Sequence, residues 1–272
     1  MVRSLWTGAT GMTAQQLNVD TIAHNLSNVN TTGYKTEVME FKSLLYQTIQ
    51  TKSTTANAEN KPIGAEVGLG TRNSSIMSLF RQGTLTQTEQ NTDFAVDGEG
   101  FFGVQGDDGN TYYTRNGHFV FAIGNDGLTL STSDGLPVLS TDGQPITLES
   151  EQIASKVTIN AKTGELYYPD DKGNAQALGV KIGLWQFNNP AGLDKVGDSL
   201  YQVTPASGTA LNENDNDNLT HSKLIQGYLE GSNVQIADEM VNLIVAQRAY
   251  EMNSKVITTS DEMLQQANQL KK

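Results

Sequence analysis

Residues 232–270 read SNVQIADEMVNLIVAQRAYEMNSKVITTSDEMLQQANQL, a stretch that contains neither glycine nor proline. Small or apolar residues recur there every three or four positions, which is the spacing of one face of an α-helix. Ser232 and Gln235 fit a capping box, and Asp238 and Glu239 then complement the helix dipole. The pattern predicts a C-terminal helix over about residues 233–270. Its stripe comprises Ala237, Val241, Val245, Ala249, Met252, Val256, Thr259, Met263, Ala267 and Leu270.

The start of the chain carries a second helical pattern, interrupted only at Gln16. Its members are Val2, Leu5, Ala9, Met12, Val19, Ala23 and Leu26. A repeat of this kind is typical of a coiled-coil seam. It predicts an N-terminal helix over about residues 3–29, which we expect to end near residues 28–33, where asparagines and a glycine supply turn chemistry.

The two predicted helices differ in length. At a rise of 1.5 Å per residue they would span about 39 Å and about 54 Å. Two packings are open: an antiparallel pair within one chain, or a bundle shared with neighbouring chains. Because the first helix is too short to cover the second, the pattern favours the shared bundle.

The sequence pattern between the two helices predicts an antiparallel β domain. Short apolar runs, among them residues 94–96, 101–104 and 111–114, alternate with Asn-Gly and Asp-Gly pairs, which are hairpin signals. The expected fold class is α+β, with long terminal helices in a coiled-coil-like bundle and a central antiparallel β domain. The expected divisions are 1–45, the N-terminal helix and the segment after it; 46–70, a polar extended loop; 71–210, the central β domain; 211–230, a linker; and 231–272, the C-terminal helix packing with the N-terminal helix.

Composition excludes several functions. The net charge of −12 argues against nucleic-acid binding, and the lack of cysteine removes disulfides, thiol nucleophiles and Cys-ligated zinc. The N-terminus lacks the apolar core and cleavage site of a secretory signal, and no stretch approaches about 20 apolar residues. We expect no cofactor, no metal and no small-molecule substrate, and a route other than a cleaved signal if the protein leaves the cytoplasm.

Three motifs suggest chemistry, and each has a simpler interpretation. Residues 98–103 match G-x-G-x-x-G, but another turn follows instead of the helix that dinucleotide binding requires. The run 212–218 is rich in oxygen ligands yet lacks the glycine and glutamate of an EF-hand loop, so Ca²⁺ binding is left open. His24, His118 and His221 have no metal-ligand spacing. We expect no enzyme; a glycosidase with paired carboxylates and a secreted β-rich adhesin are the rival classes.

Both ends and the β region resemble the axial proteins of the bacterial flagellum, the rod and hook family. Residues 23–35 (AHNLSNVNTTGYK) look like its N-terminal signature, although asparagine usually stands in place of His24. Residues 231–237 (GSNVQIA), 246–251 (AQRAYE) and 253–255 (NSK) look like its C-terminal signature. Residues 97–102 (DGEGFF) and 113–117 (YTRNG) resemble its β domain. The matching residues are Asn25, Leu26, Asn28, Gly33, Tyr34, Gly98, Gly100, Phe101, Arg115, Gly117, Gln247, Arg248, Tyr250 and Asn253.

Within the family, the length and residues 41–50 (FKSLLYQTIQ), followed by a polar segment, are similar to the distal rod protein, with a proximal rod protein as the alternative. The resemblance implies a structural subunit of the basal body that polymerises helically with itself into a hollow drive shaft across the periplasm. Its implied partners are further copies, proximal rod proteins and hook protein at the ends, L- and P-ring proteins around the rod, and the type III export gate. Phe41 and Leu45 resemble an export-gate motif; the alternative is a helical i,i+4 contact.

The resemblance also implies where copies meet. Terminal helices would pack with those of neighbours into an inner tube, and β domains would form its outer wall. The expected interface residues are Leu5, Met12, Val19, Leu26, Val241, Val245, Arg248, Met252, Val256 and Met263. For Arg248 two states are open: a pair with an acidic group of another subunit, or a solvated side chain facing the lumen.

Overall fold

The structure is a computed structural model of the 272-residue chain. It describes residues 2–50, 64–124, 127–148, 156–161, 163–169, 174–216 and 219–270. A helix at each end and a β region between them confirm the mixed helix-and-sheet class. The chain divides into two compact units: unit 1 is Met1–Ser27, Glu37–Met77 and Gln235–Lys272, and unit 2 is Asn28–Thr36 and Ser78–Val234.

Unit 1 contains both helices, α1 (Val2–Ser27) and α2 (Ile236–Gln269). Ser4 Oγ lies 3.1 Å from Ser260 Oγ, and Gly11 faces Asn253, so the two helices pair in opposite directions. A Cβ atom on Gly11 would come within 2.8 Å of the Asn253 side-chain nitrogen. The close approach of the helices therefore depends on a residue without a side chain.

Small and polar residues make much of the contact between the two helices, and Ile22 and Ile257 add larger apolar groups. The buried residues of α2 are Glu239, Ala246 and Ser260, and on α1 Ala14 and Ile22 are buried. Desolvation raises the pKa of the Glu239 carboxyl, although a hydrogen bond from the α1 side chain Asn25 opposes this shift. Such a contact buries little apolar surface, and so contributes little of the hydrophobic free energy that usually holds helices together.

The start of α2 differs from the expected capping box. The residue before the helix is Gln235, and no side chain caps the helix there. Ser232 Oγ instead accepts the N–H of Val234 at 3.3 Å. The capping-box prediction is wrong. The side-chain oxygen of Asn233 accepts the Thr36 N–H at 2.7 Å, and the helix begins only at Ile236.

The described residues of unit 1 also contain four strands: β1 (Glu37–Ser43) pairs with β4 (Thr71–Ser78), and β2 (Tyr46–Gln50) pairs with β3 (Ala65–Gly68). The segment 46–70, expected as a polar loop, thus begins and ends in paired strands. The physical reason is the high strand preference of its aromatic and β-branched residues, such as Tyr46 and Ile49. Residues 51–63 of that loop lie outside the described part of the chain.

Unit 2 consists of short antiparallel strands. They are β5 (Leu85–Gln87), β6 (Phe94–Asp97), β7 (Phe101–Gln105), β8 (Thr111–Thr114), β9 (Phe119–Gly124), β10 (Gly127–Thr132), β11 (Thr147–Leu148), β12 (Thr158–Ile159), β13 (Glu165–Pro169), β14 (Ala175–Lys181), β15 (Leu184–Gln186), β16 (Asp194–Gly197), β17 (Leu200–Gln202), β18 (Leu211–Asn212), β19 (Lys223–Gln226) and β20 (Tyr228–Glu230). The largest sheet has the order β16-β17-β8-β7-β15-β18. Three-stranded sheets β11-β10-β9 and β12-β13-β14 and the pairs β19-β6 and β20-β5 accompany it.

Strand β7 lies between two apolar clusters. Phe101 and Phe102 are adjacent in sequence and both are 0% exposed, because successive side chains of a strand point to opposite faces of the sheet. Phe102 packs with Phe94 and Phe119, whereas Phe101 packs with Tyr113 on the other side. A strand buried on both faces explains why this segment is uniformly apolar rather than alternating.

The predicted turn glycines fall into two groups. Gly98, Gly109, Gly135 and Gly143 have positive φ, as the hairpin signals require. Gly117 does not; a Cβ atom there would overlap the Phe94 carbonyl group. The Asn-Gly pair at 116–117 is therefore a site of close backbone approach and not a left-handed turn.

The segment 211–230 differs from the expected linker. It contains β18, β19 and β20, of which β19 pairs with β6 and β20 with β5. These partners lie more than a hundred residues earlier in the chain, so no local pattern could reveal the pairing.

The helix pairing can be tested with a disulfide, since the chain has no cysteine of its own. The double variant Ser4→Cys/Ser260→Cys should oxidise to an intrachain bond, because the two Oγ atoms are 3.1 Å apart. We expect faster migration on non-reducing gels, reversed by reductant. Ser4→Cys/Thr258→Cys is the control, with its second cysteine on an exposed part of α2. Equal oxidation of both double variants would contradict the pairing.

Candidate assembly surface

Helix α2 carries its large apolar side chains on its exposed side. Val241, Val245, Met252, Val256 and Met263 are between 44% and 65% exposed. They are separated by 4, 7, 4 and 7 residues, a spacing that places them on one side of a helix. We call these five residues the α2 seam.

The buried positions of α2 form a different line along the helix. Glu239, Ala246 and Ser260 are separated by 7 and 14 residues and contain one carboxylate, one methyl group and one hydroxyl. The fully buried positions of α2 are thus small or polar. Larger apolar residues on this side, such as Leu243, Ile257 and Leu264, are half-buried, whereas the residues of the α2 seam are exposed.

The expected interface residues of α1 are partly buried: Leu5, Met12, Val19 and Leu26. Val19 lies in a groove of about 420 Å³, which Gln16, Gln247, Tyr250 and Glu251 also line. The structure thus brings an expected interface residue of α1 together with signature residues of α2.

The polar signature residues of α2 divide between two surroundings. Arg248 Nη1 donates to Glu251 Oε2 at 2.9 Å, and both side chains are exposed, so Arg248 has a partner on its own helix. Asn253 faces Gly11 of α1 instead. An exposed i,i+3 ion pair stabilises a helix by only about 0.5 kcal/mol, and Arg248 can leave it at little cost.

The two residues of the expected export motif lie in extended structure. Phe41 is in β1 and is 42% exposed, and Leu45, between β1 and β2, is 82% exposed. The alternative interpretation, a helical i,i+4 contact, is wrong, because β1 pairs with β4 and the backbone is extended.

The N-terminal signature residues make specific backbone contacts. Within unit 1, Asn25 donates to the Glu37 carbonyl and accepts the Glu37 N–H, each at 2.8 Å, so its amide replaces a strand partner. In unit 2, Asn28 accepts a hydrogen bond from Thr31 within a turn. Gly33 adopts φ +70° against the backbone of Arg115, and Tyr34 follows it.

Three charged side chains meet in the interior of unit 2: Lys35, Arg115 and Glu230, which we call the charge cluster. Lys35 Nζ lies 2.5 Å from Glu230 Oε1, and Arg115 Nη1 lies 3.4 Å from Glu230 Oε2. None of the three side chains is more than 2% exposed. Oε1 also accepts the N–H of Gly83 at 2.8 Å. One buried carboxylate therefore serves two cations.

Further contacts hold the two cations in place. Lys35 Nζ donates to the Arg81 carbonyl, and Arg115 Nη2 donates to the Gly98 carbonyl, each at 2.9 Å. The Arg115 guanidinium lies 4.8 Å from the centre of the Phe101 ring, close enough for a cation–π contact. Burial lowers the pKa of Lys35 and of Arg115, and the carboxylate of Glu230 opposes both shifts.

Sequence reasoning found only part of this cluster. Arg115 is among the expected signature residues, whereas Lys35 and Glu230 are not among the expected site residues. Glu230 sits in an ordinary strand next to Gly231, and no local signal marks it as buried.

The other candidate motifs do not form a ligand site in the described residues. Gly98 lies in the turn between β6 and β7, and the strand that follows replaces the helix a dinucleotide would need. Glu213, from the acidic run, turns inward and accepts hydrogen bonds from Ser222 and Gln186. Residues 217 and 218 of that run lie outside the described ranges. No group of three or more metal-binding side chains occurs in the part of the chain that the structure describes.

Three family models match the chain in order. A model of flagella basal body rod proteins matches residues 5–35, the D1 domain of flagellar hook protein FlgE/F/G matches residues 95–168, and the C-terminal model of flagellar basal body rod FlgEFG proteins matches residues 225–270. Together with the paired terminal helices and the β unit, these matches define a structural protein of the flagellar basal body.

Relatives along the whole chain define the family more closely. The flagellar basal-body rod protein FlgG of Borreliella burgdorferi is 44% identical, with both chains covered completely. FlgG of Agrobacterium fabrum is 41% identical over 96% of this chain and 97% of its own, and FlgG of Bacillus subtilis is 38% identical over both whole chains. The chain belongs to the FlgG family of flagellar basal-body rod proteins.

Membership confirms the predicted resemblance, the structural role in the rod and the location in the basal body. Neither described helix has the length and apolarity that a membrane crossing requires. Lys35, Arg115 and Gly117 belong to the sequence stretches on which the resemblance rests, and the structure gives each of them a packing or electrostatic role.

The charge cluster makes a stability prediction. Glu230→Gln removes the carboxylate that two buried cations share, and we expect it to lower the free energy of unfolding by about 3–5 kcal/mol. Urea denaturation followed by the fluorescence of the buried Trp185 measures this change. Glu251→Gln, which removes the acid of an exposed ion pair, is the control and should cost about 0.5 kcal/mol or less. Equal effects of the two substitutions would contradict the role of burial.

Proposed function

We propose that the chain is a subunit of the distal rod that polymerises helically with itself into a hollow shaft, carries torque from motor to hook and lets exported proteins pass. The observation that carries this proposal is the α2 seam, five large apolar side chains that the subunit leaves in water. Apolar surface of this extent on one helix is typical of an interaction surface.

The occupant of the α2 seam is a second copy of the same chain. Helix α2 has 34 residues and α1 has 26, so one α1 is too short to cover α2 along its length. The spacing of the seam is that of a coiled-coil contact. A surface that meets a different surface of the next copy, repeated with a screw, produces an open helical polymer.

The expected residues of this contact are the α2 seam, Arg248, and on α1 Leu5, Met12, Val19 and Leu26. Association would cover the seam and the groove beside Val19. It would also allow Arg248 to exchange its exposed partner Glu251 for an acidic group of another copy.

Family membership supports the proposed partners. These are proximal rod proteins at one end, hook protein at the other, and L- and P-ring proteins around the rod. The type III export gate would recognise Phe41 and Leu45, and both side chains are accessible in the folded subunit as well. The distal position is favoured over the proximal one because several FlgG relatives match along the whole chain.

A catalytic role is not part of this proposal. The family is structural, and the buried acids Glu213 and Glu230 are both occupied by hydrogen bonds or cations within unit 2.

The proposal is tested in a strain that lacks this gene. We expect electron microscopy of its basal bodies to show a short rod without a distal segment and without a hook. Loss of the rod nearer the inner membrane would assign the chain to the proximal class instead. Intact rods and hooks would overturn the structural role.

The α2 seam is tested by complementing that strain with Val245→Asp/Met252→Asp. Burying two carboxylates in a contact between copies costs several kcal/mol, so we expect no complete rods and at least a tenfold loss of motile cells. Thr258→Asp, at another exposed position of α2, is the control and should restore motility. Export of the double variant, measured in the culture medium, separates failed assembly from failed delivery. Normal rods from it would contradict the proposal.

The free subunit should also show frayed terminal helices. Because few large apolar side chains of α1 and α2 are fully buried in the subunit, we expect the order of both helices to depend on association. In dilute monomer we expect their amides to exchange with solvent faster than those of β7, and to become protected in isolated rods. Full protection of both helices in the dilute monomer would count against this account.

A further inference from the structure

Three segments that are distant in sequence are bound together inside unit 2: residues 33–36, 79–84 and 230–233. We call them the latch. Backbone hydrogen bonds join all three, from Gly33 N to Glu230 O, from Leu79 N to Thr36 O and from Gly231 N to Thr84 O, each at 2.8 Å. Every segment is thus bonded to at least one other by the main chain alone.

One amide side chain adds to these bonds. Asn233 accepts the N–H and the hydroxyl of Thr36, each at 2.7 Å, and donates to the carbonyls of Leu79 and Arg81 at 2.9 and 3.0 Å. It therefore touches the other two segments at once. Removing it would leave backbone groups of both without partners.

The charge cluster connects the same segments electrostatically. Lys35 belongs to the first segment, Glu230 to the third, and the Arg81 carbonyl and Gly83 N–H that bind them belong to the second. Arg115, the residue that follows β8, completes the cluster through its ion pair with Glu230. If any one segment is missing, a buried charge or a buried backbone group has no partner, and burial of such a group is unfavourable.

We propose that the latch opens and closes as one cooperative unit, with Glu230 as its positioning residue, and that unit 2 is complete only when both of its chain ends are in place. Lys35 and Glu230 are 195 residues apart. The sheets between them pair among themselves and do not supply the missing anion. Closure therefore waits for a long-range contact rather than for a local one.

This property has a consequence that rests on the proposed export. A chain delivered from its N-terminus cannot close unit 2 before residue 233 has emerged, and one delivered from its C-terminus cannot close it before residue 33 has emerged. Unit 2 would stay open during nearly the whole passage. The latch itself does not depend on export or on assembly.

Hydrogen exchange on the full-length monomer, read by mass spectrometry, tests the latch. For Glu230→Gln we expect exchange at least about a hundredfold faster in peptides from all three segments, by a common factor, since removal of one partner of a buried ion pair is strongly unfavourable. Peptides from β9 and β10 should stay better protected than the three latch segments in both the variant and the unchanged chain, because the latch opens without unfolding of the whole of unit 2. The substitution keeps the Glu230 carbonyl, so the bond from Gly33 is not removed directly.

The matched control is Glu213→Gln, which alters another buried carboxylate of unit 2. Glu213 accepts hydrogen bonds from Ser222 and Gln186, which lie outside the latch, and its charge acts on Arg115 more weakly than that of Glu230 does. We expect this substitution to accelerate exchange near residues 213–222. The exchange rates of the three latch segments should stay within about threefold of those in the unchanged chain.

Two results would overturn the proposal. In the first, Glu230→Gln accelerates exchange only in the segment that contains residue 230. In the second, the exchange rates of the three segments rise by clearly different factors. If Glu230→Gln does not fold, Asn233→Ala decides, because it removes only neutral hydrogen bonds. It should accelerate all three segments together, by about tenfold or more, and independent responses of the segments would again refute the latch. Assembly plays no part in a dilute monomer, so failure here would leave the proposed rod function untouched.

Discussion

A carboxylate that is buried away from water needs compensating charges or hydrogen bonds. One such carboxylate in this chain is that of Glu230, and three distant parts of the chain supply its partners. Lys35 lies in the segment after α1, Arg115 directly after β8, and Gly83 shortly before β5. Each is held to the same pair of oxygen atoms. The segment after α1 is therefore an integral part of unit 2, although in sequence it adjoins the helix.

A second constraint concerns α2. Its contact with α1 relies on Gly8 and Gly11, which bring the helices close, and on Ala246 and Ser260, which are small. Close contact of small groups specifies a register without burying much apolar area. The apolar side chains of the α2 seam remain exposed. The proposed association between subunits would therefore use a different side of the helix from the contact with α1.

The two units also differ in how they reach order. In unit 2, β7 is buried on both faces and packs aromatic rings from distant strands into two clusters, so it has a core of its own. Among its described residues, unit 1 has few buried apolar side chains, which include Ala14, Ile22 and Met39. A unit with so small a core gains more from partners than unit 2 does, and the proposal that assembly contacts lie on unit 1 rests on this difference.

The sequence by itself determined the two terminal helices, most hairpin turns and the family, since helical spacing, Asp-Gly pairs and the signature stretches are all local. It did not reveal strands β19 and β20, because their partners are more than a hundred residues away, and it placed a cap at Ser232 that competing bonds to Asn233 exclude. The sequence also places Val241 and Val245 on one stripe of α2, but helical spacing does not reveal that this stripe is exposed while Glu239 and Ser260 are buried. Only the tertiary structure decided the pairing of Lys35 with Glu230, since the charge of each is visible in the sequence but their burial and their proximity across 195 residues are not.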